Sequence, residues 1–139
     1  MPFAITADEP ILRVTLSGTL TNEDLAALAK EARRIESPLA VVPHRLTDLR
    51  PVTRLEINFQ GVLAFVNERL RQTFPNSFKS AIVATDVAHF GFARMFATLN
   101  DHPQTSIALF PDDTEALSWL AESGQALPRR PWVPQVKVP

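Results

Sequence analysis

The segment TDLRPVTRLEINFQG, residues 47–61, decides which fold the chain is expected to adopt. Asp48 closes an apolar run, an Arg-Pro pair follows, and an amphipathic run then begins. Thr53 and Glu56 have the spacing of a capping box, in which two side chains satisfy backbone N–H groups at a helix start. The segment therefore predicts a strand that ends at Asp48 and a helix over about residues 54–73.

The bounds of this strand and helix follow from proline and from apolar spacing. Pro43 lacks a backbone donor, so the strand is placed after it, at His44–Asp48. The helix has an apolar stripe at helical spacing, formed by Leu55, Phe59, Val62, Leu63, Val66 and Leu70. Gly61 within the helix costs about 1 kcal/mol relative to alanine, which predicts close packing at that position.

Outward from this segment, strand and helix patterns alternate along the chain. Alternating apolar residues predict a hairpin of residues 3–6 and 11–16, and Thr21 with Asp24 predicts the capped start of a first helix. The further predicted elements are a buried strand at residues 79–84, a helix at 86–99, a strand at 105–110 and a final helix begun by Asp112, with Ala116, Trp119 and Leu120 turned inward. This order predicts an α/β fold with a mostly parallel sheet of about five strands and four helices.

Length and composition limit the class of protein. The 139 residues suit one domain, 45% of them are hydrophobic, and the net charge is −1. This near-neutral balance gives no electrostatic basis for binding nucleic acid or an anionic membrane. The chain has no cysteine, which excludes disulfides, thiol nucleophiles and cysteine-ligated metals and suits a cytoplasmic location. No apolar stretch reaches the roughly 20 residues that span a bilayer, and the first ten residues lack a signal-peptide pattern.

Three segments, in this order along the chain, resemble the STAS fold of anti-sigma factor antagonists. RVTLSGTLTNEDLAALAKEARRI, residues 13–35, is similar to the strand–LSGxL–helix opening of that family, and residues 47–61 resemble its strand-to-helix switch segment. SIALFPDDTEALSWLA, residues 106–121, resembles the ending of the SpoIIAA-like branch of bacterial proteins. The resemblance covers residues 3 to about 123. It implies a non-enzymatic regulatory domain that acts by binding another protein, whose identity the resemblance leaves open.

The switch segment departs from the family pattern at its functional atom. In the antagonists, an aspartate ends the strand, a second acid begins the helix, and a serine that a partner kinase phosphorylates follows. Asp48 matches the first acid and Glu56 approximates the second, but the serine position holds Ile57, followed by Asn58. Isoleucine has no hydroxyl, so phosphotransfer at that position is impossible. The resemblance then implies a partner surface over residues 50–58 without the phosphorylation cycle.

Polar residues of this segment form the first candidate binding site. Ligands of open α/β sheets favour the carboxyl ends of strands and the starts of helices. The candidate residues are Asp48, Arg50, Thr53, Arg54, Glu56 and Asn58. They predict either a protein-binding surface or a small-anion site in which Arg50 and Arg54 hold a phosphate or carboxylate. The alternative is a capped helix with solvated arginines and an Asp48 satisfied by loop amides.

A second group, Thr85, Asp86 and His89, follows the next strand and is expected at the same rim. His89 has the side chain whose ordinary pKa suits proton transfer near neutral pH, and Asp48 is expected on the same side. No nucleophile accompanies them, since cysteine and the Gly-x-Ser-x-Gly motif are absent. Asp86 is more simply a helix cap. The chain is therefore expected not to be an enzyme, and the spacing of its histidines predicts no metal or cofactor.

Five phenylalanines are more than one small core needs, and they admit two interpretations. They are Phe59, Phe65, Phe90, Phe92 and Phe96. One interpretation is an apolar groove between the second and third helices that takes a lipid or another apolar molecule. The other is core packing with a homodimer patch.

The last fourteen residues, 126–139, form a proline-rich tail beyond the domain of residues 1–125. Pro128, Pro131 and Pro134 recur at every third position, which lines one edge of a polyproline II helix. One interpretation is a docking peptide for an aromatic-lined groove. The other is an arm in which Trp132 and Val133 are buried against its own domain or a second subunit.

Deletion of residues 126–139 tests the packed arm. If Trp132 and Val133 are buried, the deletion removes apolar contacts and lowers the melting temperature or dissociates an oligomer. Differential scanning calorimetry and light scattering on the full and shortened chains measure both quantities. An unchanged melting temperature with an unchanged oligomeric state would show that the tail does not pack.

Overall fold

The computed structural model describes residues 3–8 and 11–122. Its elements are β1 (Phe3–Asp8), β2 (Ile11–Leu16), β3 (Gly18–Thr21), α1 (Asn22–Glu36), β4 (His44–Asp48), β5 (Val52–Glu56), α2 (Phe59–Leu70), β6 (Phe78–Val83), α3 (Val87–Leu99), β7 (Thr105–Phe110) and α4 (Asp113–Ala121). No helix within these ranges is long and apolar enough to cross a bilayer. The proline-rich tail, with Trp132 and Val133, lies outside the described residues.

The main sheet has five strands in the order β1-β2-β4-β6-β7. β1 and β2 form an antiparallel hairpin, and the other neighbours pair in parallel, so the predicted hairpin and mostly parallel sheet are confirmed. All six residues of β6 are buried, because helices cover both faces of the sheet. The predicted bounds of β4 and β7 agree with the structure, and those of β6 and α3 differ by one residue.

Successive residues of the central strands feed two separate apolar layers. Ile82 belongs to the larger cluster, which α1, α2 and α3 cover with Leu25, Val62, Phe90 and their neighbours. Ala81 and Val83 belong to the smaller cluster, which α4 covers with Ala116, Trp119 and Leu120, as the sequence predicted. The chain is thus a three-layer α/β domain.

A second, two-stranded sheet corrects the prediction for the segment that opened the sequence analysis. β3 and β5 pair in parallel, with Leu20 opposite Leu55. Residues 54–56 therefore lie in an extended strand, and α2 spans Phe59–Leu70 rather than residues 54–73. The capping box at Thr53 and Glu56 was a wrong prediction, because pairing with β3 outweighs the local helix-start pattern.

The shorter helix also changes the predicted apolar stripe. Val62 and Val66 are buried, whereas Phe59 and Leu70 at the two ends are exposed to 50% and 38%. Leu55 packs against the core from β5 instead of from a helix. The buried place near the end of α2 is taken by Arg69, which faces a carboxylate on α1.

The caps of the other helices were predicted correctly. Thr21 Oγ1 accepts from the N–H of Asp24 at 3.2 Å, and Asp24 Oδ2 accepts from the N–H of Thr21 at 2.9 Å, which completes the capping box of α1. Asp112 Oδ1 accepts from the N–H of Glu115 at 2.9 Å at the start of α4. The buried ammonium of Lys79 closes the other end of α4, since Nζ donates to the carbonyls of Trp119 and Glu122, each at 2.9 Å.

His44 connects the start of β4 to β6 through a bond that only an unprotonated ring nitrogen can accept. The N–H of Lys79 donates to His44 Nδ1 at 2.9 Å. Burial, and next the positive charge of Lys79, lower the pKa of His44 below its ordinary value of 6.5. The folded protein therefore binds this proton less readily than the unfolded chain.

The variant His44→Asn tests this link, because its amide oxygen accepts the same bond without titrating. A lowered folded pKa contributes stability that is full above pH 6.5 and declines as the pH falls through the lowered value. Urea unfolding at pH 7.5 and at pH 5 is expected to show a smaller loss of stability in the variant than in the wild type. An equal loss of stability between pH 7.5 and pH 5 in both proteins would show that His44 does not cause the pH dependence.

Candidate functional site

The end of β4 and the loop after it are held by an arginine between two carboxylates. Arg50 Nε and Nη2 donate to Asp48 Oδ1 and Oδ2 at 2.9 and 3.1 Å, and the Arg50 N–H donates to Oδ1 at 3.0 Å. Arg50 Nη2 also contacts Asp113 Oδ1, at the start of α4, at 2.5 Å. The hydrogen bond that Arg50 donates to the Asp48 carboxylate is the main cause that raises the pKa of Arg50. An anion at Arg50 would have to compete with both carboxylates.

The strand β5 presents three of the candidate residues to solvent. Thr53, Arg54 and Glu56 are exposed. Arg54 Nε lies 2.8 Å from Glu56 Oε2, and the two side chains are 72% and 44% exposed. Exposed ion pairs of this kind contribute between about 0 and 1 kcal/mol to stability. Both side chains are therefore free to form other contacts at little cost to the fold.

Asn58, rather than Thr53, caps α2 and joins it to α1. Asn58 Oδ1 accepts from the N–H of Gly61 at 3.0 Å and from Asn22 Nδ2 at 3.1 Å. The Asn58 N–H donates to Asn22 Oδ1 at 3.2 Å. A Cβ atom at Gly61 would lie 1.9 Å from Asn22 Oδ1, so the close packing predicted at this glycine is confirmed. The paired amides fix the starts of the two helices side by side.

The chain around this cap offers no hydroxyl. Ile57 is partly buried against the core, and Asn58 supplies an amide. The sequence contains no serine, threonine or tyrosine from residue 54 to residue 72. The conclusion that α2 begins without a phosphorylatable side chain therefore does not depend on whether Ile57 or Asn58 is aligned with the family's serine.

Phe59 adds an exposed apolar group to this surface. From the sequence, Phe59 was expected in the apolar stripe of the second helix and among the phenylalanines of either a groove or the core. Phe59 lines a groove of about 350 Å³ against α3, where it faces Gly91, Arg94 and Met95. Val87, at the start of α3, is 64% exposed. Phe59 is exposed at the first residue of α2, whereas the sequence had placed it one turn inside a longer helix.

The second candidate group consists of Thr85, Asp86 and His89, which have different structural roles. Asp86 Oδ1 accepts from the N–H of Ala88 at 2.8 Å, so the predicted cap of α3 is confirmed. Thr85 is exposed, and His89 is buried. His89 Nδ1 has no hydrogen-bond partner among the described residues. The Asp48 carboxylate bonds to Arg50, and no hydrogen bond in the described ranges joins it to His89.

Comparison with known proteins gives likenesses in structure. No protein-family model matches the chain, and no curated protein matches it significantly. An uncharacterized protein of the DUF3478 family with a SpoIIAA-like fold, from Shewanella loihica PV-4, superimposes with a TM-score of 0.57 at 17% identity, over 85% of this chain and 91% of that one. An anti-sigma factor antagonist from Mycobacterium paratuberculosis superimposes with a TM-score of 0.56 at 14% identity, over 86% and 93%.

These likenesses, with the element order and the sheet topology, define the class of the chain. It has the α/β fold of STAS domains, as the three sequence segments predicted. Within that class its fold is SpoIIAA-like, and the superposition includes most of the chain and most of each solved structure. At these identities the likeness establishes the fold, and the surface of residues 50–59 has to be judged on its own side chains.

Substitution of Gly61 by alanine tests the junction of the two helices. Alanine favours a helix by up to about 1 kcal/mol, but its Cβ would displace the Asn22 amide and break the bonds to Asn58. We expect Gly61→Ala to destabilise the domain by about 1–2 kcal/mol in chemical unfolding. In an Asn22→Ala background the same change should cost much less, because the amide is no longer there. Equal costs in both backgrounds would contradict the role of the paired amides.

Proposed function

We propose that the chain is a non-enzymatic regulatory domain that binds another protein through β5 and the start of α2. The observation that carries this proposal is the combination of exposed groups at residues 50–59 on a SpoIIAA-like fold. One structural neighbour is an anti-sigma factor antagonist, a class of protein named for its interactions. We further propose a cytoplasmic location, which the lack of cysteine favours.

The side chains of this surface suit a protein contact. Phe59 is half exposed, and the exposed pair of Arg54 and Glu56 shortly precedes it along the chain. Interfaces commonly place an aromatic anchor within a polar rim, and aromatic residues and arginine supply most of the binding energy. The caps and the Asn22–Asn58 pair hold the backbone beneath these side chains, so little ordering is required on binding.

The proposed binding does not depend on phosphorylation at the helix start. A phosphate there would place about two negative charges at the positive end of α2. The absence of hydroxyls in residues 54–72 removes this possibility. A homodimer remains a prediction, which light scattering on the purified chain would test.

The double variant Arg54→Ala/Glu56→Ala tests the proposed surface. It removes two exposed side chains that contribute little to stability. The matched control is Arg34→Ala/Glu31→Ala, which removes another exposed arginine–glutamate pair, on α1. Tagged wild-type and variant proteins are used in quantitative affinity enrichment from host cells, with circular dichroism to verify folding.

The expected result is a partner whose recovery falls at least tenfold with the β5 variant and stays unchanged with the α1 control. The bound partner should also protect residues 50–59 from hydrogen exchange in the purified complex. Equal recovery of the partner with the β5 variant and the α1 control would reject this surface. Protection from hydrogen exchange elsewhere on the domain, and not at residues 50–59, would reject it as well. A catalytic activity of the wild-type protein that is lost in Asp48→Asn or His89→Gln would reject the proposal that the domain is not an enzyme.

A further inference from the structure

The groove of about 350 Å³ that Phe59 lines runs along the outer face of α3. Its residues on α3 follow one another at helical spacing over about 12 Å, which is the rise of eight helical residues. They are Gly91, Arg94, Met95, Thr98 and Leu99. Three of them, Gly91, Arg94 and Thr98, are exposed, so the groove is open to solvent.

Gly91 is a glycine that the described domain does not require. Glycine is, after proline, the least favourable residue in a helix interior, and Gly91 lies inside α3. A Cβ atom at Gly91 would meet no atom of the described residues within 4 Å, whereas one at Gly61 would collide with Asn22. Packing within the domain therefore explains Gly61 and does not explain Gly91. At Gly91 another molecule can approach the helix backbone closely.

Arg94 places a positive charge at this groove without an acidic neighbour. Its side chain forms no ion pair or hydrogen bond with any residue in the ranges 3–8 and 11–122. None of the described residues that line the groove is acidic. A guanidinium can donate two parallel hydrogen bonds to one carboxylate. The groove is therefore complementary in charge to an aspartate or glutamate of another molecule.

The geometry of the groove disfavours several kinds of occupant. Sites for small ligands bury about 70–90% of the ligand, and an open groove along one helix does not enclose a ligand to that extent. An extended peptide needs partners for its backbone N–H and C=O groups, but the polar side chains of the lining are only Arg94 and Thr98. A helix satisfies its own backbone groups. Two copies of the chain packed through this face would bring two Arg94 side chains together without an acid from the lining.

We propose that this groove binds an amphipathic helix of the partner protein, with an apolar side chain over Gly91 and an aspartate or glutamate paired with Arg94. Met95 and Leu99, which also pack against the core, form the apolar floor. The volume admits about two apolar side chains of ring size, since a cavity of about 150 Å³ holds one benzene. This is the mode in which a helix places the apolar residues of one face into a groove.

The groove is continuous with the surface proposed above for partner binding. Phe59 belongs to both, and α3 contacts β5. Of the five phenylalanines that the sequence marked as surplus, Phe59 lines the groove and the other four belong to the core or pack against it. This binding mode rests on the proposed protein-binding function and specifies the partner as a helix with an apolar face and a carboxylate.

Two variants block the groove or reverse its charge. Gly91→Gln places a side chain in open space and replaces glycine with a good helix former, so the melting temperature should rise or stay unchanged. Its matched control is Ala27→Gln, at an exposed position of α1. Arg94→Glu reverses the charge in the groove, and Lys30→Glu makes the same reversal on α1, outside the groove.

The probe is a phage-displayed library of amphipathic helices, selected on the full-length wild-type protein without counter-selection. Isothermal titration calorimetry then gives the Kd of the selected peptides for the wild type and the four variants. Most selected helices are expected to carry an acid beside the apolar face and to bind Gly91→Gln and Arg94→Glu at least tenfold more weakly. The controls Ala27→Gln and Lys30→Glu should leave the Kd unchanged. Replacement of the acid in the peptide by lysine should restore binding to Arg94→Glu.

Several results would overturn this binding mode. They are a selection that yields no binder, equal binding to the wild type and Gly91→Gln, and binders without an acid whose reversal compensates Arg94→Glu. A wild-type dimer that Gly91→Gln dissociates in light scattering would show instead that a second copy covers the groove.

The outcome for the groove is distinguishable from the outcome for the proposed function. A natural partner whose recovery falls with Arg54→Ala/Glu56→Ala but not with Gly91→Gln would retain the proposed function and reject this binding mode. Enrichment that recovers no partner would count against the proposed function, while the peptide selection still decides what the groove binds.

Discussion

The short parallel pairing of β3 with β5 is the constraint on which the functional face of this domain depends. Two strands that run side by side in the same direction deliver their helices side by side, so α1 and α2 start as neighbours. Asn22 and Asn58 then bond to each other, which is possible only because Gly61 leaves room for the amide. The same pairing draws residues 54–56 out of the helix and exposes Arg54 and Glu56 on β5.

The two helices are joined at their far ends as well, by a different kind of interaction. Glu36, the last residue of α1, accepts from Arg69 in the last turn of α2 and from Arg45 on β4. Removal of one partner of such a buried pair costs about 3–5 kcal/mol, because the other charge is left without compensation. Polar amides at one end and buried ions at the other thus fix the length and direction over which α1 and α2 pack.

Much of the main sheet was predictable from the sequence because its signals are local. The hairpin, β4, β6 and β7 follow from runs of apolar residues, and the caps at Thr21, Asp86 and Asp112 follow from side chains close to the N–H groups they bind. The second sheet was not predictable, because β5 exists only through its pairing with a strand more than thirty residues earlier. The stretch from Thr53 to Glu56 satisfies a helix-start pattern by itself, and tertiary pairing overrides that local preference.

In the candidate site, too, contacts between residues close in sequence were predictable, and contacts between distant residues were not. Asp48 and Arg50 are neighbours in sequence and meet in space, whereas Asp113 reaches them only because β4 and the start of α4 meet at one edge of the sheet. Nothing in the local sequence around Asn58 indicates Asn22, which lies 36 residues away. The buried ion cluster at the far ends of α1 and α2 was missed for the same reason, since its members come from three elements and Arg69 occupies a position that the helix pattern had left polar.

The stretch of nineteen residues without a hydroxyl, 54–72, has a consequence for how information would pass through such a surface. A serine at a helix start has two charge states, because a kinase adds a phosphate and a phosphatase removes it. The Asn58 amide that caps α2 cannot be phosphorylated and has a single charge state. If residues 50–59 bind a partner as proposed, phosphorylation at the start of α2 would not set the bound fraction. That fraction would follow the concentrations of the two proteins, unless Thr53, the exposed hydroxyl on β5, is modified.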